Sequence, residues 1–277
     1  MTRHAGGGNV AAMNELLERP PVGALLREWR QRRRLSQLDL ALDAGVSARH
    51  LSFLETGRSR PSPEMVLHLA DQLSVPLRER NQMLLAAGYA PIYGQRPLDD
   101  PDMSPVRAAI ELVLKGHEPY PALVVDQQWE MLAANRGIGL LTEGVADHLL
   151  EPPVNALRVT LHPDGMAPRI RNLAEWRAHL LERLGRQIAA TGDPALIALY
   201  EELAAYPAPE PADRGRARGL AGEIVVACHI EIGGHELAFF STVTTFGTAV
   251  DITVAELAIE SFFPADEATA DYLRSLR

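Results

Sequence analysis

Apolar residues recur at helical spacing in five short segments between residues 22 and 88. Most of these segments begin at a capping residue or a proline, and glycine-containing or polar turns separate them. Ser36, Ser47 and Ser62 stand where N-caps are expected, and Gly45 lies at the turn between the second and third segments. The pattern predicts an all-α domain of five helices at 22–33, 37–44, 48–55, 63–73 and 76–88.

The pattern changes after a segment rich in Pro, Gly and Asp, which predicts a linker over residues 91–103. Apolar runs broken at 126–128 predict a strand hairpin within 120–137, and three more strands are predicted at 223–232, 236–245 and 250–263. The last strand is long enough to suggest a β-bulge. Helices are predicted at 104–114, 136–141, 155–161, 173–187, 194–205 and 266–276. Two strands, several helices and three strands predict an α+β domain, with a five-stranded antiparallel sheet and helices grouped on one face.

The chain is thus predicted to consist of a disordered tail (1–19), a helical domain (20–90), the linker (91–103) and an α+β domain (104–277), with a mobile loop at 206–222. No apolar run approaches the ~18 residues of a membrane span, and Cys228 is the only cysteine. These features indicate a soluble, cytoplasmic protein without disulfides or a multi-cysteine metal site.

Charge is distributed unevenly along the chain. Its formal net charge is −9, yet residues 20–62 hold eight arginines and four acidic residues, which leaves −13 on the remainder. A basic segment on an acidic chain is typical of a protein in which one domain meets phosphates.

The stretch SQLDLALDAGVSARHLSFLETGRSRP (residues 36–61) places two short helices around Gly45, with Leu38, Ala41, Val46, Leu51 and Leu54 at the packing positions of a helix-turn-helix. It resembles the Xre-type, lambda-repressor-like domain, which implies sequence-specific binding to double-stranded DNA. The third helix would then enter the major groove. The predicted DNA-binding residues are Gln37, Ser47, Ala48, Arg49, Ser52, Phe53, Arg58 and Arg60.

Roles follow from position in this motif. Gln37 would hold a phosphate, Arg49 would grip a guanine, and Arg58 and Arg60 would contact the flanking backbone. Phe53 is equally compatible with a core position. The run at residues 32–34 is as well explained by a solvated arginine face. Since one such domain reads few base pairs, a homodimer on two half-sites is expected.

Further blocks widen the resemblance: EPYPALVVDQQWEMLAANRG, LHPDGMAPRIRNLAEWRAHLLERL, STVTTFGTAVDIT and AELAIESFFPAD follow in this order. Together with the first domain they resemble the MmyB-like transcription regulators over about residues 20–275. The resemblance implies a PAS-like domain with a pocket for a lipophilic ligand such as a fatty acid.

In such a domain the pocket lies between the sheet and the helices. Strand alternation places Val124, Trp129 and Met131, with Phe239 or Phe240, toward it. A carboxylate anchor is expected beside a helix N-terminus, with Arg169 and His162 favoured over Arg171 and Arg177 and with Thr244 and Thr245 as further hydroxyl donors. The alternative for His162, which precedes Pro163, is that it only shapes the turn. The predicted ligand-binding residues are Trp129, Met131, Leu140, Leu157, Leu161, His162, Arg169, Trp176, Phe240 and Thr244. For each apolar residue taken alone, a plain core position is the simpler interpretation.

Other classes of function find no support in the sequence. No hydrolase, metalloprotease, nucleotide-loop or dinucleotide-binding motif is present, so an enzyme is not predicted. Cys228, His229 and His235 are close in sequence, but strand alternation separates them, and no metal or cofactor is predicted. The alternative to a ligand sensor is a second domain with a filled core that only dimerises or docks a protein.

Overall fold

A computed structural model describes residues 20–207 and 226–276 of the chain. They form two units, called here the N-terminal and C-terminal units, which divide between Gln95 and Arg96, inside the predicted linker. Residues Val250–Ile252 group with the N-terminal unit. The predicted tail 1–19, most of the predicted loop 206–222 and the start of the strand predicted from Glu223 lie outside the described residues.

The described part of the N-terminal unit contains five helices, in agreement with the sequence prediction. They are α1 (Val22–Arg32), α2 (Gln37–Asp43), α3 (Ala48–Glu55), α4 (Pro63–Gln72) and α5 (Leu77–Ala86). The predicted caps are formed: Oγ of Ser36, Ser47 and Ser62 each accepts a hydrogen bond from the backbone N–H three residues later. Gly45 adopts a φ of +63°, which permits the sharp turn between α2 and α3.

The core of this unit is formed by leucines from several helices. Leu26, Leu40, Leu51 and Leu54 are all at most 1% exposed. Leu38, predicted to pack in this core, is instead 59% exposed. The reason is the orientation of α2, which turns Leu40 and Ala41 inward and leaves position 38 on its outer side.

The described C-terminal unit alternates helices and strands. Its helices are α6 (Ser104–Gly116), α7 (Gly137–Thr142), α8 (Ala156–Leu161), α9 (Leu173–Thr191), α10 (Pro194–Ala205), α11 (Ile252–Ala255) and α12 (Glu267–Ser275). Its strands are β1 (Ala122–Val125), β2 (Met131–Ala134), β3 (Cys228–Ile232), β4 (His235–Thr245) and β5 (Ala258–Pro264). Three short 3₁₀ helices, at Pro101–Met103, Asp147–Leu149 and Ala167–Arg169, were not predicted.

The five strands form one antiparallel sheet in the order β2–β1–β5–β4–β3. Helices α7 to α10 are inserted between β2 and β3, and β5 lies at the centre of the sheet, beside β1. The predicted five-stranded antiparallel sheet is therefore confirmed, and its strand order is that of the PAS fold implied by the resemblance.

Both faces of the sheet carry helices, which corrects the prediction that helices gather on one face. Leu123 and Val125 of β1 belong to the larger core, together with residues of α7 to α10. Val124 points the other way, into a smaller cluster with Ile110 and Leu114 of α6. The prediction that Val124 faces the pocket is wrong, because the alternation of β1 is offset by one residue from the expected phase.

The long strand predicted over 250–263 is also wrong in its first half. Residues Ile252–Ala255 form the short helix α11, and β5 begins only at Ala258. Val254 and Leu257 are buried there. Burial of β-branched residues in a helical turn outweighs their preference for strands. The irregular pairing lies elsewhere, between Val124 and Val125 where β1 meets β2.

Candidate functional site

Helix α3 of the N-terminal unit presents the predicted DNA-reading residues along its first turns. Ser47, the N-cap, and Arg49 are exposed, while Ala48 and Ser52 are half-buried. On the opposite side of the helix, Leu51 and Leu54 anchor it in the core. This arrangement leaves the N-terminal, outward positions free to enter a groove of DNA.

Phe53 lies on the surface side of α3 rather than in the core. Its ring is half-buried and stands outside the apolar cluster of the described N-terminal unit. The guanidinium carbon of Arg49 is 5.3 Å from the ring centroid, and that of Arg58 is 5.9 Å away. Both distances are those of cation–π contacts. Phe53 therefore supports two arginines at the surface, which settles the open alternative of a core position against it.

A buried ion pair fixes the rear of α3. Glu55 accepts hydrogen bonds from Arg30 on both oxygens, at 2.6 Å from Nε and 2.8 Å from Nη2, and Gln37 Nε2 donates to its Oε2 at 2.8 Å. Burial would raise the pKa of Glu55, but the hydrogen bonds from Arg30 and Gln37 outweigh it and hold the pKa below its usual value. The amide of Gln37, predicted to hold a phosphate, is thus oriented by the core of the domain.

Arg60 and Arg33 are also tied to the fold of this unit. Arg60 donates from Nε and Nη2 to the carbonyl of Ala87, at 3.2 and 2.8 Å, and lies over the ring of Tyr89. Arg33 donates to the carbonyls of Leu73 and Ser74. These contacts give Arg60 and Arg33 a stabilising role in the fold. The phosphate contact of Arg60, whose side chain is exposed, stays a prediction.

The C-terminal unit contains an apolar cavity between the inner face of the sheet and α7 to α9. Its volume is about 60 Å³, and with the space open to solvent around it the empty region reaches about 760 Å³. Three predicted ligand-binding residues line it: Met131, Leu157 and Trp176. Leu123, Ile138, Met166 and Phe262 complete much of the apolar wall, and sequence reasoning did not single them out.

The other predicted ligand-binding residues do not line this cavity: Trp129, Leu140, Leu161, His162, Arg169, Phe240 and Thr244. Phe239 takes the place expected of Phe240, because Phe239 pairs with inward-facing Cys228. Phe240 stacks on Phe263 on the other face, with ring centroids 5.4 Å apart. Thr244 is exposed at the far end of β4. Leu161 is 2% exposed within the core, and Leu140 lines a separate surface cleft with Lys115 and Arg136.

Trp129 is packed beside the cavity rather than facing it. It is 5% exposed and adopts a φ of +66°, and its Nε1 donates to Gln187 Oε1 at 2.9 Å. The guanidinium carbon of Arg183 lies 4.4 Å from the centre of the ring. The same arginine donates from Nη1 to Glu260 at 2.8 Å. Trp129 therefore positions Arg183, which in turn pairs with a carboxylate at the cavity wall.

The predicted carboxylate anchor lies away from the cavity. Arg169 donates from Nη2 to the carbonyl of Leu141, and burial lowers the pKa of its guanidinium. His162 accepts a hydrogen bond from the backbone N–H of Asp164 and packs against Tyr206. Arg169 thus joins its segment to the end of α7, whereas His162 stabilises the turn that follows it. Among the described residues that line the cavity, the charged one is Glu260, an acidic residue within the apolar strand sequence AIESFFP.

One group of potential metal ligands occurs among the described residues. The ligand atoms of His148, His162 and Asp164 lie within 4.8 Å of one another. Nδ1 of His162 already accepts the Asp164 N–H at 3.0 Å, so a neutral ring carries its proton on Nε2. Coordination through Nε2 would require the proton to move to Nδ1 and would break this hydrogen bond. The geometry therefore does not favour a metal centre.

Comparison with known proteins supplies relatives for both units. Residues 106–276, more than half of the chain, match the family model described as the MmyB-like transcription regulator ligand binding domain. Residues 21–83 match a model described as a helix-turn-helix domain. The uncharacterized HTH-type transcriptional regulator RghRB of Bacillus subtilis (strain 168) is 31% identical over 116 residues, 41% of this chain and 81% of that protein. Within residues 20–207 and 226–276, every helix falls short of the length or hydropathy that a membrane span requires.

Proposed function

The chain belongs to the MmyB-like transcription regulators, helix-turn-helix proteins with a ligand-binding domain, and on this premise we propose how its two units act. The N-terminal unit binds operator DNA sequence-specifically through α3. The C-terminal unit binds a lipophilic small molecule with a fatty-acid-like aliphatic chain. The regulator acts in the cytoplasm as a homodimer and catalyses no reaction.

The exposed face of α3 supports the DNA-binding part of this proposal. Arg49 reads a guanine through a bidentate hydrogen bond, and Ala48, Ser52 and the edge of Phe53 contact neighbouring base edges. Arg58 and Gln37 contact phosphates and set the register of the helix. Because the Phe53 ring supports the guanidinium groups of Arg49 and Arg58, both arrive at the DNA partly ordered.

The apolar cavity is the observation that carries the ligand-binding part. At about 60 Å³ it is smaller than the ~150 Å³ apolar cavity known to take up benzene. An aliphatic chain therefore has to displace wall residues as it enters. Met131 and Met166 are suited to this, since unbranched methionine side chains change rotamer readily.

Dimerisation links the DNA-binding and the ligand-binding parts of this proposal. One helix-turn-helix reads few base pairs, whereas two related by symmetry read half-sites about one helical turn apart. A ligand that widens the cavity regulates transcription if it favours one of two dimer arrangements and so changes the spacing of the two α3 helices.

Native mass spectrometry of the full-length protein, purified without added ligand, tests the proposal. We expect a dimer with an excess mass that organic extraction removes and identifies as an elongated lipophile. Returning the extract should change operator affinity. If the protein has no excess mass and takes up no aliphatic compound, the C-terminal unit is a dimerisation or protein-interaction module instead.

A further inference from the structure

Glu260 places a carboxylate on the inner face of the central strand of the C-terminal sheet. The residue is 5% exposed and forms part of the cavity wall. Its cross-strand partners are Leu123 of β1 and Val243 of β4. A charged side chain in such a position is costly to bury unless it is paired and hydrogen-bonded.

The pairing of Glu260 uses one of its two oxygens. Oε1 accepts hydrogen bonds from Arg183 Nη1 and from Ser241 Oγ, both at 2.8 Å. Among the described residues, none donates a hydrogen bond to Oε2. Arg183 approaches from the side of Trp129, over whose ring it lies, and is not itself part of the cavity wall. Oε2 is therefore the acceptor that remains for a bound molecule.

The other polar groups of the wall have less to offer a ligand. The hydroxyls of Thr142 and Thr160 donate to carbonyls one helical turn earlier, at 3.2 and 2.8 Å. Burial raises the pKa of the Cys228 thiol to about 12, so this group stays neutral. Among the residues that the structure describes, those lining the cavity include no lysine, arginine or histidine.

We propose that the ligand of this cavity is a lipophile whose polar head donates a hydrogen bond or carries a positive charge, such as an aliphatic alcohol or amine, and that the head binds Oε2 of Glu260. The inference rests on the proposed function, that the cavity takes up a lipophilic molecule. A hydrogen bond to an ionised acceptor is among the strong ones in proteins. A carboxylate head would instead meet the charge of Glu260 in a site of low dielectric constant.

Three probes of equal chain length, 1-octanol, octylammonium and octanoate, test this inference by isothermal titration of the full-length dimer. Octanol and octylammonium are expected to bind at least about tenfold more tightly than octanoate, the difference expected from one hydrogen bond to a charged acceptor. This ranking in the wild-type protein requires no substitution and so does not depend on any variant folding.

Two variants assign the preference to Glu260. Glu260→Gln should weaken the binding of octylammonium by about tenfold. It should strengthen the binding of octanoate, because the charge that repels the carboxylate is gone. Glu202→Gln is the matched control, since Glu202 also pairs with an arginine, Arg158, but lies away from the cavity wall. It should leave the ranking unchanged.

The outcomes separate the two proposals. Tightest binding of octanoate to the wild-type protein overturns the role of Glu260 and leaves the cavity as the ligand site. An unchanged ranking in a folded Glu260→Gln variant also overturns it. Failure of all three probes to bind contradicts the proposed function and, with it, this inference.

Discussion

Each unit of the chain buries a glutamate paired with an arginine, and the two glutamates differ in how fully their oxygens are used. In the N-terminal unit, Arg30 and Gln37 together donate to both oxygens of Glu55. In the C-terminal unit, Arg183 and Ser241 donate to the same oxygen of Glu260. The side chain of Glu55 is 2% exposed behind α3, and Glu260 lies at the wall of the apolar cavity.

The difference separates a scaffold from a binding site. A carboxylate whose two oxygens both accept hydrogen bonds within the protein is engaged by the fold, and a satisfied network rigidifies the elements that it joins. The network of Glu55 accordingly orients α3 and keeps the Gln37 side chain in place. A carboxylate oxygen at a cavity wall that accepts no hydrogen bond within the protein can still accept one from a bound molecule.

The largest loss of stability is expected when the hydrogen-bond network of Glu55 is broken. Arg30→Ala leaves the carboxylate of Glu55, whose side chain is 2% exposed, without its cation. Removal of one partner of a buried pair typically costs about 3–5 kcal/mol. Urea-dependent hydrogen exchange of peptides from α1 and α3 measures this loss.

The control is an ion pair at the surface. Arg186 pairs with Glu182 one helical turn away, and the two side chains are 61% and 72% exposed. Arg186→Ala should change the free energy of unfolding by about 0.5 kcal/mol or less. A loss below about 1 kcal/mol in Arg30→Ala would show that the network of Glu55 is not what holds α3.

The N-terminal unit could be predicted from the sequence almost element by element, because its signals are local. Ser36, Ser47 and Ser62 cap their helices as predicted, and Gly45 turns the chain. The error was Leu38, whose exposure depends on how α2 rotates against its neighbours rather than on residues nearby in sequence. Helical spacing alone left both orientations open.

The C-terminal unit was predictable in strand number and order but not in its cavity wall. A shift of one residue in phase exchanges the two faces of a strand. The prediction therefore placed Phe240 and Val124 on the cavity side of the sheet, where the structure has Phe239 and Leu123. The sequence does not identify Glu260 as a cavity residue, because a lone acidic residue in a strand gives no sign of its partner, Arg183, which lies 77 residues away. Contacts of such separation are set by the sheet as a whole.

The next-largest effect, on operator binding, is expected from substitutions at the surface of α3. Arg49→Ala should weaken operator binding and relax the sequence preference at one base pair, with a loss of about 1–3 kcal/mol in discrimination. Arg58→Ala is the matched substitution, since both guanidinium groups lie over Phe53. It should weaken binding to all DNA sequences alike. It should also reduce the slope of log affinity against log salt concentration by about one. Fluorescence anisotropy with single-base variants of the operator distinguishes the two. Wild-type behaviour of both variants would mean that α3 does not dock as proposed.

The smallest change in the free energy of unfolding is expected from a substitution in the cavity wall. It tests whether this wall borders empty space, in contrast to the filled core of the N-terminal unit. Leu157→Phe adds atoms to the wall at a place with about 60 Å³ to receive them, so the free energy of unfolding should change by less than about 1.5 kcal/mol. Octanol uptake, measured by titration, should fall by about tenfold because the same space is then occupied. Leu140→Phe is the control, since Leu140 lies in a surface cleft apart from the cavity. Equal uptake by the Leu157→Phe variant and the wild-type protein would place the ligand elsewhere, and the open oxygen of Glu260 would then need another explanation.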